Sequence, residues 1–443
     1  MHFPPQLHDY QFQPLFERML EIVGAPLWQR RIQWIGKQIR RNELLKNHMV
    51  EHHSLELQFA KAHREWSQTD RITGTLSDPA QYLFYVFVTQ FMLVYERLSA
   101  QGQGRLRGML VGGLKDPEHW GLLALQQELA TSAHLMLQGF DVDFVDLEGN
   151  ARWDFVLRRN GIEMDAECKM ISCDVGRKIP RLAASELLYL VQKQIGQTAA
   201  HATGGRIVHI RIPDRLTSEQ SRRDKIVAMA VRTYRTGVSE ESAEICQTKL
   251  IDFPLQATAF GSKGPDELTM DDVRSVCAEY AGNKNPQAAL FLQPKHLAVI
   301  TLIESARADT VLESIFDTLA ESAKNQLSGE RPAAMFVQIH DLSADAIVSL
   351  AEKDTLTPAL ATGLQIHATR FLNRTDRQYV HTIGFRSHGT LSNQQVAVGN
   401  ELTTVHSEAG QAYVFNNPHS PVAGDPRYAV FERVERASPI VRT

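Results

Sequence analysis

The chain has 443 residues, of which 43% are hydrophobic and 22% charged, a composition typical of a globular protein with two or three cores. Its formal net charge of -4 excludes a uniformly basic surface, so a polyanionic partner would have to meet a local basic patch. Four cysteines without Cys-x-x-Cys spacing favour reduced thiols in a cytoplasmic protein over a disulfide framework or a zinc site.

The first residues contain neither the basic segment nor the apolar segment of a signal peptide. The most apolar stretch, YLFYVFVTQFMLVY at 82–95, is interrupted by Thr89 and Gln90. It is also shorter than the roughly 20 residues that span a bilayer. We therefore expect a buried helix there, and no association with a membrane.

Residues 1–112 are predicted to form an N-terminal helical region. In PLWQRRIQWIGKQIRRNELLK, apolar residues recur at helical spacing and define one side of an amphipathic helix. A second stripe contains Arg30, Trp34, Lys37 and Arg41. This stripe is either an ordinary solvated basic face or a surface that follows a phosphate backbone while Trp34 stacks on a base. The adjacent His52 and His53 cannot face one way on a helix, and we expect them at the surface.

The middle of the chain, residues 113–213, predicts the element order α-β-β-β-α-β. A helix capped by Asp116 ends at Gly139, and the strand-like segments FDVDFVD, ARWDFVLRR and IEMDAECKMIS follow. A helix at ASELLYLVQKQIGQTAA and the strand RIVHIRI complete the unit. Residues 214–443 predict a mixed α/β extension that includes a helix at SADAIVSLAEK. Part of this extension, about 290–345, is left open as an addition to the core sheet.

The segment DFVLRRNGIEMDAECK, residues 154–169, predicts a β-hairpin whose register follows from its turn. Asn-Gly between alternating runs favours a two-residue type I′ turn, because both central residues need a positive φ. Arg159 then pairs with Ile162, and Asp154 comes to lie opposite Glu167. One face holds only apolar side chains: Trp153, Phe155, Leu157, Met164, Ala166 and Cys168.

Two carboxylates directly opposite each other are unfavourable unless something neutralises them. A divalent cation that takes an oxygen from Asp154 and from Glu167 would do so, with Lys169 beside it on the same face. The alternative is a charge ladder on a solvated face, in which Arg152 and Lys169 pair diagonally with the acids.

At these residues the chain resembles the PD-(D/E)xK nuclease superfamily, whose restriction-endonuclease-like core has the order αβββαβ. Asp154 corresponds to the aspartate of the motif, Glu167 to its second acid and Lys169 to its lysine, while Trp153 replaces the proline. The resemblance further implies a glutamate from the first core helix, Glu128, and the main-chain carbonyl of Cys168 as metal ligands. The resemblance covers roughly residues 117–213.

The resemblance implies a Mg²⁺- or Mn²⁺-dependent nuclease, with DNA as the expected substrate and restriction, phage defence or repair as the expected role. Basic residues expected to grip the nucleic acid strand are Arg158, Arg159, Arg177, Lys178 and Arg181. The rival interpretation is a catalytically silent nuclease-like fold that binds nucleic acid or protein. A homo-oligomer or protein partner would dock through the N-terminal helical region or the C-terminal region.

Overall fold

A computed structural model describes most of the chain. The described residues are 7–8, 12–69, 72, 79–115, 121–172, 174–198, 203–264, 267–283, 287–293, 296–343, 363–388, 402–407, 410–431 and 440–441. They form a mixed α/β protein. The predicted cap at Asp116 and most of the helix predicted at SADAIVSLAEK lie outside these residues.

The described residues between 12 and 115 are mostly helical. Their helices are α1 (Phe12–Val23), α2 (Ala25–Arg41), α3 (Lys46–His52), α4 (Ser54–Thr69), α5 (Pro79–Tyr95) and α6 (Ala100–Lys115), followed by α7 (Leu123–Leu137). The apolar α5 is buried, as predicted, and its Phe87 and Phe91 are almost inaccessible to solvent. Among the described residues, no helix is both long and apolar enough to cross a membrane.

The strands form two large sheets and one short pair. In chain order they are β1 (Leu7–His8), β2 (Asp141–Phe144), β3 (Phe155–Arg159), β4 (Ile162–Ser172), β5 (Gly204–Ile212), β6 (Glu240–Ser242), β7 (Cys246–Phe253), β8 (Gln287–Gln293), β9 (Leu297–Ser305), β10 (Ala333–Ser343), β11 (Val380–His388), β12 (Leu402–Ser407), β13 (Gly410–Asn416) and β14 (Ile440–Val441). β1 pairs with β14. The seven-stranded sheet has the order β12-β13-β11-β10-β4-β3-β2, and the five-stranded sheet has the order β6-β7-β5-β9-β8.

Strands β3 and β4 form the predicted hairpin with the predicted register. Arg159 pairs with Ile162, and the ladder continues to Phe155 opposite Ala166. Asn160 and Gly161 have φ values of 49° and 78°, the positive pair that a type I′ turn requires. Five of the six residues of the predicted apolar face lie in a core shared with α7 and the other N-terminal helices, whereas the ring of Trp153 faces the guanidinium of Arg331. The turn chemistry and the burial of one face therefore select the same register.

Replacing Gly161 by alanine is expected to destabilise the protein by about 1–2 kcal/mol, because a side chain is disfavoured at its φ of 78°. Gly108, inside α6, provides the control with the opposite sign. It is exposed, and an added Cβ would meet nothing within 4 Å. Gly108→Ala should stabilise the protein by roughly 0.5–1 kcal/mol. Urea unfolding of both variants measures the two effects, and equal effects would contradict the assigned turn.

The last strand of the predicted core is misplaced, which corrects the continuous αβββαβ unit expected over 113–213. Residues 206–212 belong to β5, which pairs with β7 and β9 in the five-stranded sheet. The strand that pairs with β4 in the seven-stranded sheet is β10, in parallel. Strand periodicity cannot distinguish these neighbours, because both β5 and β10 are apolar and follow a helix.

Two compact units account for this arrangement. Unit 1 comprises residues 1–37, 48–173 and 312–443, and unit 2 comprises 38–47 and 174–311. Within unit 1 the order of core elements is α7, β2, β3, β4, α12 (Val311–Gln326) and β10, with unit 2 intervening between β4 and α12. The segment at about 290–345 is a candidate addition to the core sheet. Of its strands, β10 joins the seven-stranded sheet, whereas β8 and β9 do not.

Unit 1 has helices on both faces of its sheet. Leu125 and Leu129 of α7 share a core with Phe336 of β10. On the opposite face, Phe316 of α12 packs on Phe385 of β11, with ring centroids 5.7 Å apart. A further helix, α13 (Gly363–Leu372), also contacts Phe316, through Phe371.

Unit 2 has its own hydrophobic cores around the five-stranded sheet. Its helices are α8 (Arg181–Thr198), α9 (Gln220–Thr236), α10 (Ala259–Ser262) and α11 (Met270–Ala281). One core contains Val208 and Ile210 of β5, and the other contains Ile207 of the same strand, so both faces of the sheet are covered. Gln192 of α8 donates to the carbonyl oxygens of Ala289 and Val299.

Candidate functional site

The candidate site lies where β3 begins beside the middle of β4. Asp154 directly precedes β3, Glu167 and Lys169 lie on β4, and Glu128 comes from α7. Lys169 contacts Glu167 directly, and the carboxyl groups of Asp154, Glu167 and Glu128 lie close enough that the charge of one raises the pKa of another.

Asp154 reaches β4 through its side chain rather than through the sheet ladder. Its Oδ2 accepts a hydrogen bond from the backbone N–H of Cys168 at 2.6 Å, while its own carbonyl accepts one from Val145. The strand pairing ends at Phe155. Asp154 and Glu167 therefore do not form a ladder pair, and the pairing predicted for them is wrong. Displacement from the ladder relieves direct opposition of two like charges. Burial, with the charges of Glu167 and Glu128, raises the pKa of Asp154 well above its usual value.

Glu167 is a buried carboxylate with only part of its hydrogen-bonding capacity used. Its side chain is 1% exposed, and Oε1 lies 2.6 Å from Nζ of Lys169. The second oxygen, Oε2, is buried without a hydrogen-bond partner among the described residues. A buried carboxylate oxygen without a partner is costly, because its water shell has not been replaced. Burial raises the pKa of Glu167, and this shift is opposed by the Lys169 ammonium and by a hydrogen bond from the backbone N–H of Asp154 to the carboxylate.

The burial of Glu167 bears on the alternative of a solvated charge ladder. Lys169 pairs with Glu167, two residues away on the same strand, and not diagonally across the hairpin as that alternative requires. Asp165 and Glu167 are also almost completely buried, so this part of the face is not solvated. Asp165 accepts from Nε of Arg331 at 2.7 Å, which gives this acid a structural partner that Glu167 lacks at Oε2.

Glu128 extends the acidic group from the helix side. Burial and the charges of Asp146 and Glu167 raise its pKa to about 8, and Lys169 opposes this. Its neighbour Gln127 is buried and donates from Nε2 to the carbonyl oxygens of Lys169 at 3.2 Å and Phe336 at 3.0 Å. These bonds fix α7 across β4 and β10, and so hold Glu128 beside the hairpin.

Asp146 is an acid of the site that the sequence did not identify. It lies in the turn after β2, and its charge raises the pKa of both Glu128 and Asp154. The turn is held by Arg105 of α6, which donates to the carbonyl of Asp146 at 2.6 Å. Burial raises the pKa of Asp146 itself, opposed first by the N–H of Leu147. Neither Asp146 nor Gln127 belongs to a sequence pattern that would have indicated it.

The side chain and the main chain of Cys168 make separate contacts. Its thiol is buried, hydrogen-bonds with Thr131 of α7, and has a pKa raised well above the usual value by burial. Its N–H points towards Asp154. The N–H and C=O of a strand residue point towards the same neighbouring strand. The carbonyl of Cys168 therefore points towards the β3 side of β4, at a level before the first residue of β3.

The basic residues predicted to grip nucleic acid are engaged within the protein. Arg158 forms ion pairs with Asp143 and Glu163. Arg159 donates to the carbonyls of Arg427 and Ala429, and its guanidinium lies over the ring of Phe140.

The other three predicted contact residues lie in unit 2 and also face acids. Arg177 and Arg181 each have Nε 3.7 Å from Asp174, and Lys178 has Nζ 3.5 Å from Asp214. Each of the five predicted contact residues therefore forms an ion pair or a hydrogen bond within the chain.

The adjacent histidines are not surface residues, which corrects the expectation from their spacing. His53 is 2% exposed and lies in a buried cluster with Arg31 and Glu56. Nδ1 of His52 lies 2.8 Å from Nε2 of His340. The two rings do not diverge but lie edge to face, with centroids 4.7 Å apart.

The site meets part of what a divalent cation requires. Hard cations prefer carboxylate and carbonyl oxygens, which Asp154, Glu167, Glu128 and the Cys168 carbonyl supply. A cation would also satisfy the buried Oε2 of Glu167 and offset the repulsion among the acids. Within the described part of the chain, no three His, Cys, Asp or Glu side chains already converge to hold a metal ion. Cation binding would therefore have to draw the carboxylates together.

The raised pKa values of these acids predict a pH-dependent effect of Mg²⁺ on stability. Without a cation, the folded state holds protons that the unfolded state releases, so stability falls as pH rises from about 4.5 towards about 8. A cation must displace those protons at low pH but not at high pH. The rise in Tm on adding MgCl₂ should therefore be larger at about pH 8.5 than at about pH 6. KCl at equal ionic strength is the control, and equal rises at both pH values would contradict the prediction.

The chain matches no model of a known family, no curated protein and no solved structure. The resemblance to the PD-(D/E)xK superfamily therefore stays a prediction from the sequence.

Proposed function

We propose that the protein is a divalent-cation-dependent nuclease that hydrolyses phosphodiester bonds, with DNA as its substrate. The observation that carries the proposal is the buried Glu167. Its Oε1 pairs with Lys169 while its Oε2 has no hydrogen-bond partner among the described residues, beside two more acids with raised pKa values. Natural proteins rarely retain such an arrangement unless it has a use, because it costs stability.

The topology of unit 1 supports membership in the PD-(D/E)xK superfamily. The order α7, β2, β3, β4, α12 and β10 is an αβββαβ order once the intervening segment is set aside. Asp154 stands at the start of the second of these strands, and Glu167 and Lys169 lie on the third. These are the positions at which the superfamily places its motif.

The residues divide the chemistry between them. Asp154, Glu167 and Glu128 would hold Mg²⁺ or Mn²⁺, which lowers the pKa of bound water and offsets charge on the phosphate. Lys169, fixed by its bond to Glu167, has further N–H groups that can orient the attacking water or contact a phosphate oxygen. Water adds across the P–O bond, and the products are a phosphomonoester and a free hydroxyl.

The proposal is tested by incubating the purified protein with supercoiled plasmid, single-stranded DNA and single-stranded RNA. Each substrate is offered with Mg²⁺, with Mn²⁺ and with EDTA. Cleavage of DNA that requires a divalent cation is the expected result. Cation-independent cleavage, or no cleavage of any substrate, would overturn it.

A catalytically silent module that binds nucleic acid or protein is the second candidate. One observation favours it: in the described residues the acids do not converge into a three-ligand metal group. This candidate predicts nucleic acid or protein binding without cleavage, and no response of Tm to Mg²⁺. The cation-dependent Tm measurement above therefore separates the two candidates even before a substrate is found.

A further inference from the structure

The basic stripe of α2 is a surface feature that the candidate site does not use. The helix has 17 residues and contains no acidic residue. Arg30, Lys37 and Arg41 are exposed on it. In a chain with more acids than bases, an acid-free helix with an exposed basic side is a local departure from the overall charge.

The stripe also differs from the other basic residues considered above in having no internal partner. Among the described residues, none of Arg30, Lys37 and Arg41 forms an ion pair or a hydrogen bond through its side chain. By contrast, all five basic residues that were expected to contact nucleic acid form an ion pair or a hydrogen bond within the chain. Trp34, the aromatic residue within the stripe, packs against Arg31 and His53. The stripe therefore offers charge without a stacking surface.

The spacing of the three residues suits a regular array of negative charges. At 3.6 residues per turn, positions 30, 37 and 41 lie within about 40° of one another around the helix. They extend over roughly 16 Å along its axis, at about 1.5 Å per residue. One strand of duplex DNA has a phosphate about every 3.4 Å along the axis, so the stripe matches a length of about five nucleotides.

We propose that the α2 stripe of Arg30, Lys37 and Arg41 binds the phosphate backbone of duplex DNA. The proposal rests on the proposed nuclease function for its choice of ligand and deepens it by naming a binding surface for the substrate. Positive side chains without internal partners gain most from phosphates, because they give up no protein contact and release condensed counterions from the DNA. The contact recognises backbone charge and not base sequence.

The test measures DNA binding without catalysis. Fluorescence anisotropy follows a labelled duplex of about 25 base pairs in EDTA as the KCl concentration is raised. The variant Arg30→Gln/Lys37→Gln/Arg41→Gln is expected to bind more weakly than the wild type. Its slope of log affinity against log salt should be smaller in magnitude by about 2–3, at roughly 0.9 for each phosphate that the variant no longer neutralises. Thermal unfolding should be unchanged, because all three residues are exposed.

The matched control removes the same charge elsewhere. Lys193, Lys225 and Arg235 are exposed in unit 2, and the triple glutamine variant should retain the wild-type slope. The proposal is overturned if the two triple variants reduce the slope equally, if the α2 variant keeps the wild-type slope, or if the wild type binds no DNA. It is also overturned if the α2 substitutions weaken binding to anionic phosphatidylserine vesicles but not to DNA.

The outcomes separate this inference from the proposed function. If DNA is cleaved with Mg²⁺ but the α2 variant keeps the wild-type salt slope, the stripe is not the binding surface and the nuclease proposal stands. If the slope falls as expected but no divalent cation supports cleavage, the stripe binds DNA and the nuclease proposal fails.

Discussion

Replacing Glu167 by glutamine is expected to slow divalent-cation-dependent DNA cleavage by about 10²–10³-fold. The substitution keeps the shape of the side chain but removes the charge of a group that is 1% exposed. It should also raise the Tm of the cation-free protein above neutral pH. The reason is that a carboxylate whose pKa is raised in the folded state destabilises that state once it ionises. Loss of cleavage with gain of stability is the opposite of what a damaged core would produce.

Glu163→Gln is the matched control for this substitution. Glu163 lies on the same strand, but it is exposed and pairs with Arg158. Its replacement should change stability little, because an exposed ion pair is screened by solvent, and leave cleavage unaffected. The assignment of Glu167 fails if Glu167→Gln cleaves at the wild-type rate, or if both variants lose activity equally.

Replacing Lys169 by methionine is expected to reduce cleavage by about 10²–10⁴-fold, the range for loss of a positioned proton-transfer group. Unlike Glu167→Gln, this variant should keep the rise in Tm caused by Mg²⁺. The ammonium is 22% exposed and contacts Oε1 of Glu167, so its removal deletes a proton donor but leaves the carboxylates in place. The pair of variants thus distinguishes holding the cation from acting on the water.

Arg158→Met provides the comparison, since it removes a cation from the same hairpin that is engaged by Asp143 and Glu163. Its cleavage rate should match that of the wild type. If Lys169→Met also abolishes the Mg²⁺-dependent rise in Tm, Lys169 assembles the site and does not act in the chemical step.

The hairpin could be predicted from sequence because its determinants are local. Asn160 and Gly161 fix the turn, and one apolar face fixes the register to Phe155. The predicted pairing ends there and does not extend to Asp154, the residue before Phe155. Asp154 leaves the ladder, and its side chain accepts the N–H of Cys168 that a continued ladder would pair with main chain. A local pattern does not reveal such a side-chain contact.

The remainder of the site depends on contacts between distant segments. Gln127 bonds to the main chain of Phe336, 209 positions away, so no window of sequence contains both. The same reason explains the misplaced core strand: β5 and β10 have similar apolar patterns, and only the three-dimensional packing decides which one joins β4. Asp146 was missed because a single aspartate in a turn is ordinary unless its neighbours in space are known.

The separation of β4 from β10 has a consequence for the newly made chain. Asp165 and its partner Arg331 are 166 positions apart, so the strand with Glu167 and Lys169 emerges long before its parallel neighbour. At about 5–20 residues per second, the ribosome needs roughly 8–30 s to supply that neighbour. Until then one edge of β4 is unpaired, and the hydrogen bond from Gln127 to the carbonyl of Phe336 cannot form. The anchoring of α7 across β4 and β10, beside Glu128, is therefore completed only after β10 has been synthesised.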